Sequence, residues 1–151
     1  MTDVLTPTQR RLNMMRIRAR DTKPEILIRK GLHAEGFRFR LHRRNLPGRP
    51  DLVLARHRVC IFVNGCFWHG HHCEMFRMPV TRRDFWKNKI TSNRKRDRRS
   101  VDTLLREGWR VLIVWECATR GTRRMLAKDL LKSCVRFIQD DDRTLELRSK
   151  P

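Results

Sequence analysis

The chain has 151 residues, 36 of them Lys or Arg against 16 Asp or Glu, for a formal net charge of +20. That length suits one compact domain with a real hydrophobic core and leaves little room for a second. Self-repulsion of this size does not help a metabolic enzyme and is relieved by a polyanion, so nucleic acid leads over an acidic membrane or a merely solubilising surface.

In chain order, Thr6, Pro7 and Gln9 resemble a helix start, and the acid-free segment "RRLNMMRIRAR" follows, making residues 1–20 a basic arm. The N-terminus lacks the apolar stretch of a secretory signal. "TKPE" places Thr22 as N-cap and Glu25 at N3, a capping box opening a helix that Gly36 closes. "FRFRL" alternates, so Phe37, Phe39 and Leu41 face one side of a strand. "NLPGRP" is a turn, and "DLVLA" and "VCIFV" are apolar strands joined through Arg56–Arg58 as a hairpin. Thr81 and Asp84 mark an N-cap for a long helical stretch to Gly108, open to a break midway. "WRVLIVWE" is a buried strand, and residues 122–138 read as a helix with Leu126, Leu130, Cys134 and Phe137 on one face. Residues 140–151 read as a loosely held tail. The sum is an α/β chain, a mixed sheet flanked by helices. The runs "VCIFV" and "VLIVW" are far too short to cross a bilayer, so no membrane partner is expected.

The densest chemistry lies in "NGCFWHGHHC", Asn64 to Cys73. Cys66, His71 and Cys73, completed by Cys117 after the later strand, would make a tetrahedral Cys3His zinc site. Otherwise they are buried thiols and surface imidazoles, the reading that suits Cys60 and Cys134. Five cysteines, an odd number without an export signal, favour reduced thiols in the cytoplasm. "RPD" sets Asp51 at one strand tip, beside the carbonyls of Val63 and Asn64 at the next, an arrangement that suits Mg²⁺. Phosphodiester hydrolysis uses such an ion on the scissile phosphate. His69, just beyond the strand, is the candidate for proton handling, and Glu25 for holding a metal-bound water. The plain alternatives are a turn aspartate and a capping glutamate. Phe67 and Trp68 at the loop apex, with Trp86, sit among nine Lys/Arg and two Asp between Thr81 and Arg99. Rings amid cations suit stacking on bases with phosphates held alongside. Phe85 is open to a core reading instead, whereas Trp109 and Trp115 belong to the core.

Taken together, "NMMRIRARDTKPE", "LPGRPDLVL", "IFVNGCFWHGHHC", "P.TR..FW..KI..N..RD" and "GWRVLIVWEC" resemble the very-short-patch-repair (Vsr) DNA mismatch endonucleases. The resemblance implies a restriction-endonuclease-like fold with a structural zinc, and a strand-specific nick beside the T of a T:G mismatch left by 5-methylcytosine deamination. It implies Mg²⁺ on Asp51 and the main-chain oxygen of Val63, proton transfer by His69, and a metal-bound water on Glu25. Zinc falls on Cys66, His71, Cys73 and Cys117. Phe67, Trp68 and Trp86 wedge beside the mismatch, with Met14 of the arm on the other groove side. Lys89, Asn93, Arg94 and Lys95 are assigned to DNA.

Two positions depart from that pattern: Val63 stands where Thr is usual, and Asn64 where a second active-site His is found. The expected protein is a monomeric, cytoplasmic, DNA-associated nuclease with double-stranded T:G DNA, and other mismatch-repair proteins, as partners. Two other classes compete: a related Mg²⁺-dependent nuclease acting on matched DNA, and a non-catalytic, zinc-stabilised DNA-binding module.

Overall fold

The computed structural model describes residues 21–151; the expected helix start at Thr6 and the basic arm carrying Met14 lie outside them. Helix α1 (Lys23–Ala34) begins where the capping box places it. The Thr22 hydroxyl accepts from the Glu25 N–H at 3.4 Å. The Glu25 carboxylate turns back to the Asp21 N–H, one residue earlier than an ideal box. Beyond the helix, Gly36 adopts φ +94°, the left-handed conformation glycine takes without strain.

Strands β1 (Arg40–Leu41), β2 (Leu52–Leu54) and β3 (Val59–Asn64) run antiparallel to one another in turn. The β2–β3 hairpin closes through a 3₁₀ turn (Ala55–His57) and left-handed Arg58. β1 is shorter than the alternation suggested, and at this sheet edge Leu41 is exposed while Phe37 and Phe39 pack on the core. Helix α2 (Arg83–Arg106) is unbroken. Its N-cap is Arg82 in left-handed backbone with no side-chain cap bond, so Thr81 does not cap it; Asp84 in the first turn offers the negative charge that end favours.

Helix α2 returns the chain to β4 (Arg110–Trp115), which pairs in parallel with β3. A short turn of helix, α3 (Glu116–Thr119), precedes α4 (Ala127–Gln139). The Met125 N–H bonds to the Ala118 carbonyl and folds the chain back, so α4 starts later than its apolar pattern suggested. Leu126 lies outside the helix, 56% exposed, while Leu130, Cys134 and Phe137 are buried as expected. Residues 144–147 form a fifth strand, β5 (Thr144–Leu147), parallel to β4, which corrects the reading of a loose tail. Four residues, two polar and two leucines, in a charged surrounding look like tail until β4 supplies hydrogen-bond partners and Leu147 finds the core.

The sheet order is β1-β2-β3-β4-β5, a mixed sheet within an α/β chain. One face, from Val59, Ile61, Leu112 and Val114, packs on Ile28 and Leu32 of α1 and on α4. The other, from Cys60, Phe62 and Val111, packs with Leu104 of α2 and Trp109. Gly31 lets the first layer close tightly: a Cβ there would lie 2.2 Å from a Leu131 methyl. Among the described residues no helix is long and apolar enough to cross a membrane.

Arg110 ties the layers together. Its guanidinium donates to the Phe137 and Asp140 carbonyls at 2.7 and 2.8 Å, to Ile138 at 2.8 Å, and to His57 in the hairpin at 3.2 Å. Two of these carbonyls belong to the last turn of α4, where no intrahelical donor remains and the dipole favours a cation. Arg110→Met keeps most of the stem and orphans the carbonyls, so it should lower stability by about 2–3 kcal/mol. Urea unfolding measures this; a loss under about 0.5 kcal/mol would mean that water replaces the guanidinium without penalty.

Candidate active site and metal centre

Both groups of candidate residues gather at the C-terminal end of β3. Asp51 lies just before β2, and its Oδ2 accepts the Val63 N–H at 2.7 Å. A residue in extended backbone points its N–H and C=O to the same side. The Val63 carbonyl therefore faces the same gap as the Asp51 carboxylate. Burial pushes the Asp51 carboxyl up to about 7 from 3.8; the Val63 hydrogen bond opposes this and the nearby Glu25 charge adds to it.

Glu25, one turn into α1, is 1% exposed. His42 stands between the two acids, with Nε2 3.2 Å from Glu25 Oε1 and Nδ1 3.8 Å from Asp51 Oδ1. Asp21 and Arg29 complete the cluster, joined by a 2.8 Å ion pair. The Arg29 guanidinium holds the Asp21 carboxyl below its ordinary value. Sequence reasoning missed His42 and Asp21. In "RFRLHRR" the imidazole reads as one more cation, and nothing local marks it as facing Glu25.

On the other side of β3, Asn64 and His69 line an open cleft of about 530 Å³ with Arg94, Asp97, Arg98 and Trp115. His69 Nδ1 lies 2.5 Å from Asp97 Oδ2 on α2. A carboxylate on Nδ1 fixes the tautomer and leaves Nε2 free to take a proton. Asp97 was also missed; the available signal was an acid kept within a run of cations, four turns along the helix. The strand tip joins the two groups, Asp51 through the Val63 backbone and His69 through the cleft that holds the Asn64 side chain.

The four expected ligands do converge. One ligand atom from each of Cys66, His71, Cys73 and Cys117 lies within 4.8 Å of the others. His71 Nδ1 sits 3.6 Å from Sγ of both Cys66 and Cys117. None of the five cysteines is in a disulfide. Burial and the neighbouring thiols hold the Cys66 thiol far above its ordinary range. A divalent ion is what offsets adjacent buried thiolates, so the donor set fits a metal such as zinc. Burial, with Arg148 and His72 nearby, lowers His71 to about 4 and keeps its imidazole neutral for ligation. Its ring stacks on Trp115 at 4.0 Å. The Ser149 N–H donates to Cys117 Sγ at 3.3 Å, and Glu116 accepts the Cys66 N–H. Gly70, at φ +62°, fits the loop against α2, where a Cβ would meet Ile90 at 2.5 Å.

The loop apex presents the rings. Phe67, Trp68 and Trp86 contact one another edge to face at centroid separations of 5.2 to 5.8 Å, all half-buried. Phe85 is 44% exposed beneath Arg82, so it is not core. Trp109 and Trp115 are buried as expected. Asn93 donates to the Trp68 carbonyl at 2.9 Å, which gives it a positioning contact on the apex. Lys89, Arg94 and Lys95 are exposed along α2.

Residues 2–75 match the family described as DNA mismatch endonuclease Vsr. The type II nicking enzyme V.XorIIP of Xanthomonas oryzae is 50% identical over 117 residues, covering 78% of this chain and 86% of that protein. The DNA mismatch endonuclease Vsr of Escherichia coli is 45% identical over 138 residues, 91% and 88% of the two chains. The type II nicking enzyme V.NmeAIP of Neisseria meningitidis is 39% identical over 140 residues, 93% and 99%.

Proposed function

Since the chain belongs to the Vsr family of DNA mismatch endonucleases, we propose that this DNA-nicking hydrolase cuts one strand beside the T of a T:G mismatch arising from 5-methylcytosine deamination, the first step of very short patch repair. The observation that carries the reading is an apex of three mutually packed rings on a loop whose Cys and His side chains converge as a metal-ligand set, one residue from a histidine held by a carboxylate. We assign the fold to the restriction-endonuclease-like class. The working form is a cytoplasmic monomer on double-stranded DNA, with mismatch-repair proteins as further partners.

Asp51 and the Val63 carbonyl would hold Mg²⁺, an oxygen donor pair of the kind that ion prefers. When bound, it polarises the scissile phosphate and stabilises the leaving oxygen. Glu25 would hold a water of that ion. Asp97 accepts from His69 Nδ1–H, so Nε2 receives the proton of the attacking water. Asn64 can donate its amide to a phosphate oxygen but cannot titrate near neutrality, which leaves His69 to manage the proton alone. Cys66, His71, Cys73 and Cys117 would hold Zn²⁺, and four protein ligands would make its role structural.

A T:G pair stacks less well than its neighbours, so wedging Phe67, Trp68 and Trp86 beside it costs less than opening a matched step, where unstacking takes a few kcal/mol. Trp68→Ala should therefore lower the preference for T:G over T:A duplex and barely change the salt dependence. Arg94→Ala or Lys95→Ala should lower affinity for both duplexes and reduce the slope of log affinity against log salt by about 0.9 for each phosphate no longer neutralised. Binding and Mg²⁺-dependent nicking on both duplexes across a salt series provide the test. Equal loss on matched and mismatched DNA with Trp68→Ala would mean that the ring only packs, and equal nicking of both by the parent would make this a nuclease for matched DNA.

A further inference from the structure

The Cys3His set is bordered by a segment that supplies no ligand. After β5 the chain lies against the loop of Cys66, His71 and Cys73 and makes a contact with each of three consecutive residues. The Arg148 guanidinium donates to the His72 carbonyl at 2.9 Å, between two of the expected ligands. The Ser149 N–H donates to Cys117 Sγ at 3.3 Å, across 32 positions of sequence. The Lys150 N–H donates to the Arg123 carbonyl at 2.8 Å. Glu74 secures the turn that Lys150 meets, accepting from the Thr122 hydroxyl and the Arg123 N–H at 3.3 and 3.4 Å. Loop, turn and strap thus hold one another around the same four side chains. A main-chain donor matters most at a sulfur that carries negative charge as a ligand, where the hydrogen bond is charge-assisted. Cys66 has such a donor in the Cys117 N–H, from within the ligand set itself. Cys117 takes its own from Ser149. Cys66 and Cys117 are fully buried, whereas Cys73 is partly exposed and lines a cleft of about 670 Å³ with Arg123, Arg148, Ser149 and Lys150. A competing ligand would reach the sulfurs through that cleft, and the strap forms its wall.

We propose that residues 148–150 are the clasp of the metal centre, positioning residues that set how tightly it keeps its ion. The Ser149 N–H orients Cys117 Sγ and offsets its charge, and Arg148 pins the His72 peptide so that His71 and Cys73 keep their directions. Partners that hydrogen-bond to ligands contribute strongly to a metal site, and losing one typically weakens binding about 10–100-fold. The proposal rests on the zinc reading of the four ligands and adds to it the part played by a segment outside them.

The test uses the full chain without DNA, loaded with Zn²⁺ or with Co²⁺ as a coloured substitute. Ser149→Pro removes the N–H and leaves all four ligands, whereas Ser149→Ala keeps the N–H. Competition against a chromophoric chelator should show zinc held about 10–100-fold more weakly by Ser149→Pro, and as in the parent by Ser149→Ala. In the Co²⁺ form of Ser149→Pro the thiolate-to-cobalt charge-transfer band should move to longer wavelength, because a sulfur without its donor gives up an electron more readily. Looser packing alone would not move the band. Arg148→Met keeps the N–H and loses the His72 contact, so it should weaken zinc binding by a smaller factor and leave the band in place. Circular dichroism of the loaded proteins establishes folding, and Arg148→Met decides the matter if Ser149→Pro does not fold. Parental zinc affinity or an unmoved band in folded Ser149→Pro, or parental affinity in Arg148→Met, would overturn the proposal while leaving the zinc site intact. A parent that binds no zinc would instead refute the zinc reading on which the proposal rests.

Discussion

Asp51→Asn should abolish Mg²⁺-dependent nicking and yet yield a protein that resists urea better than its parent at pH 8. With Asp51 in the proposed role of Mg²⁺ ligand, its loss would remove several kcal/mol of transition-state stabilisation, and about 4 kcal/mol corresponds to 10³-fold in rate. DNA binding should hold or strengthen, because a negative charge near phosphate has gone. The stability gain follows from titration. The folded carboxyl sits at about 7 against 3.8, so the folded state retains a proton that the unfolded chain has released. Stability therefore falls as pH rises from about 4 to 7, and the full penalty persists above that window. Removing the charge should restore on the order of 2–4 kcal/mol at pH 8 and nothing below about pH 4. Urea midpoints of both proteins, metal-free, at the two pH values check this. Near-parental nicking would require a different catalytic centre, and a gain independent of pH would mean that burial of Asp51 is not its cause.

Loss of zinc should have a still larger effect. A structural zinc contributes on the order of 10 kcal/mol to the folding of a small site, against a whole-domain stability of ~5–15 kcal/mol. Cys117→Ser, or a strong chelator, should therefore unfold or aggregate the protein rather than merely slow it. Around the loop the apolar packing consists of Cys66, Trp115 and Cys117 with Cys73, Met75 and Ile113, which is too little apolar surface to hold the loop unaided. Circular dichroism after chelation, with metal analysis of the untreated protein, measures this. Soluble protein that contains no zinc and keeps its melting temperature would refute the assignment.

Local rules made much of this structure legible. Thr22 and Glu25 start α1 because a capping box needs only four residues, and the two short apolar runs form the β2–β3 hairpin. The Cys3His set was readable because metal ligands are chemically rare and close in sequence, except Cys117, which the strand before it delivers. What escaped detection depends on partners distant in the chain. β5 exists because β4 offers its edge, and Arg110 reads as a surface cation until five carbonyls surround it. His42 and Asp97 act through residues 17 and 28 positions away, so no spacing rule reveals them. The sequence leaves the continuity of α2 open because an exposed cationic helix shows little apolar periodicity; Ile90 and Leu104 are its buried residues.

The parallel pairing of β3 with β4 has a consequence for inheritance. Every ring at the apex, the His69–Asp97 pair and the cationic face of α2 lie in the single crossover between those strands, and Cys117 follows just after β4. Asp51, Glu25 and the Val63 backbone lie before it. One recombination event that replaced the stretch from Gly65 to Cys117 would thus transplant the ring-bearing loop, the cationic helix and all four converging Cys and His side chains together, while Glu25 and Asp51 stayed with the recipient.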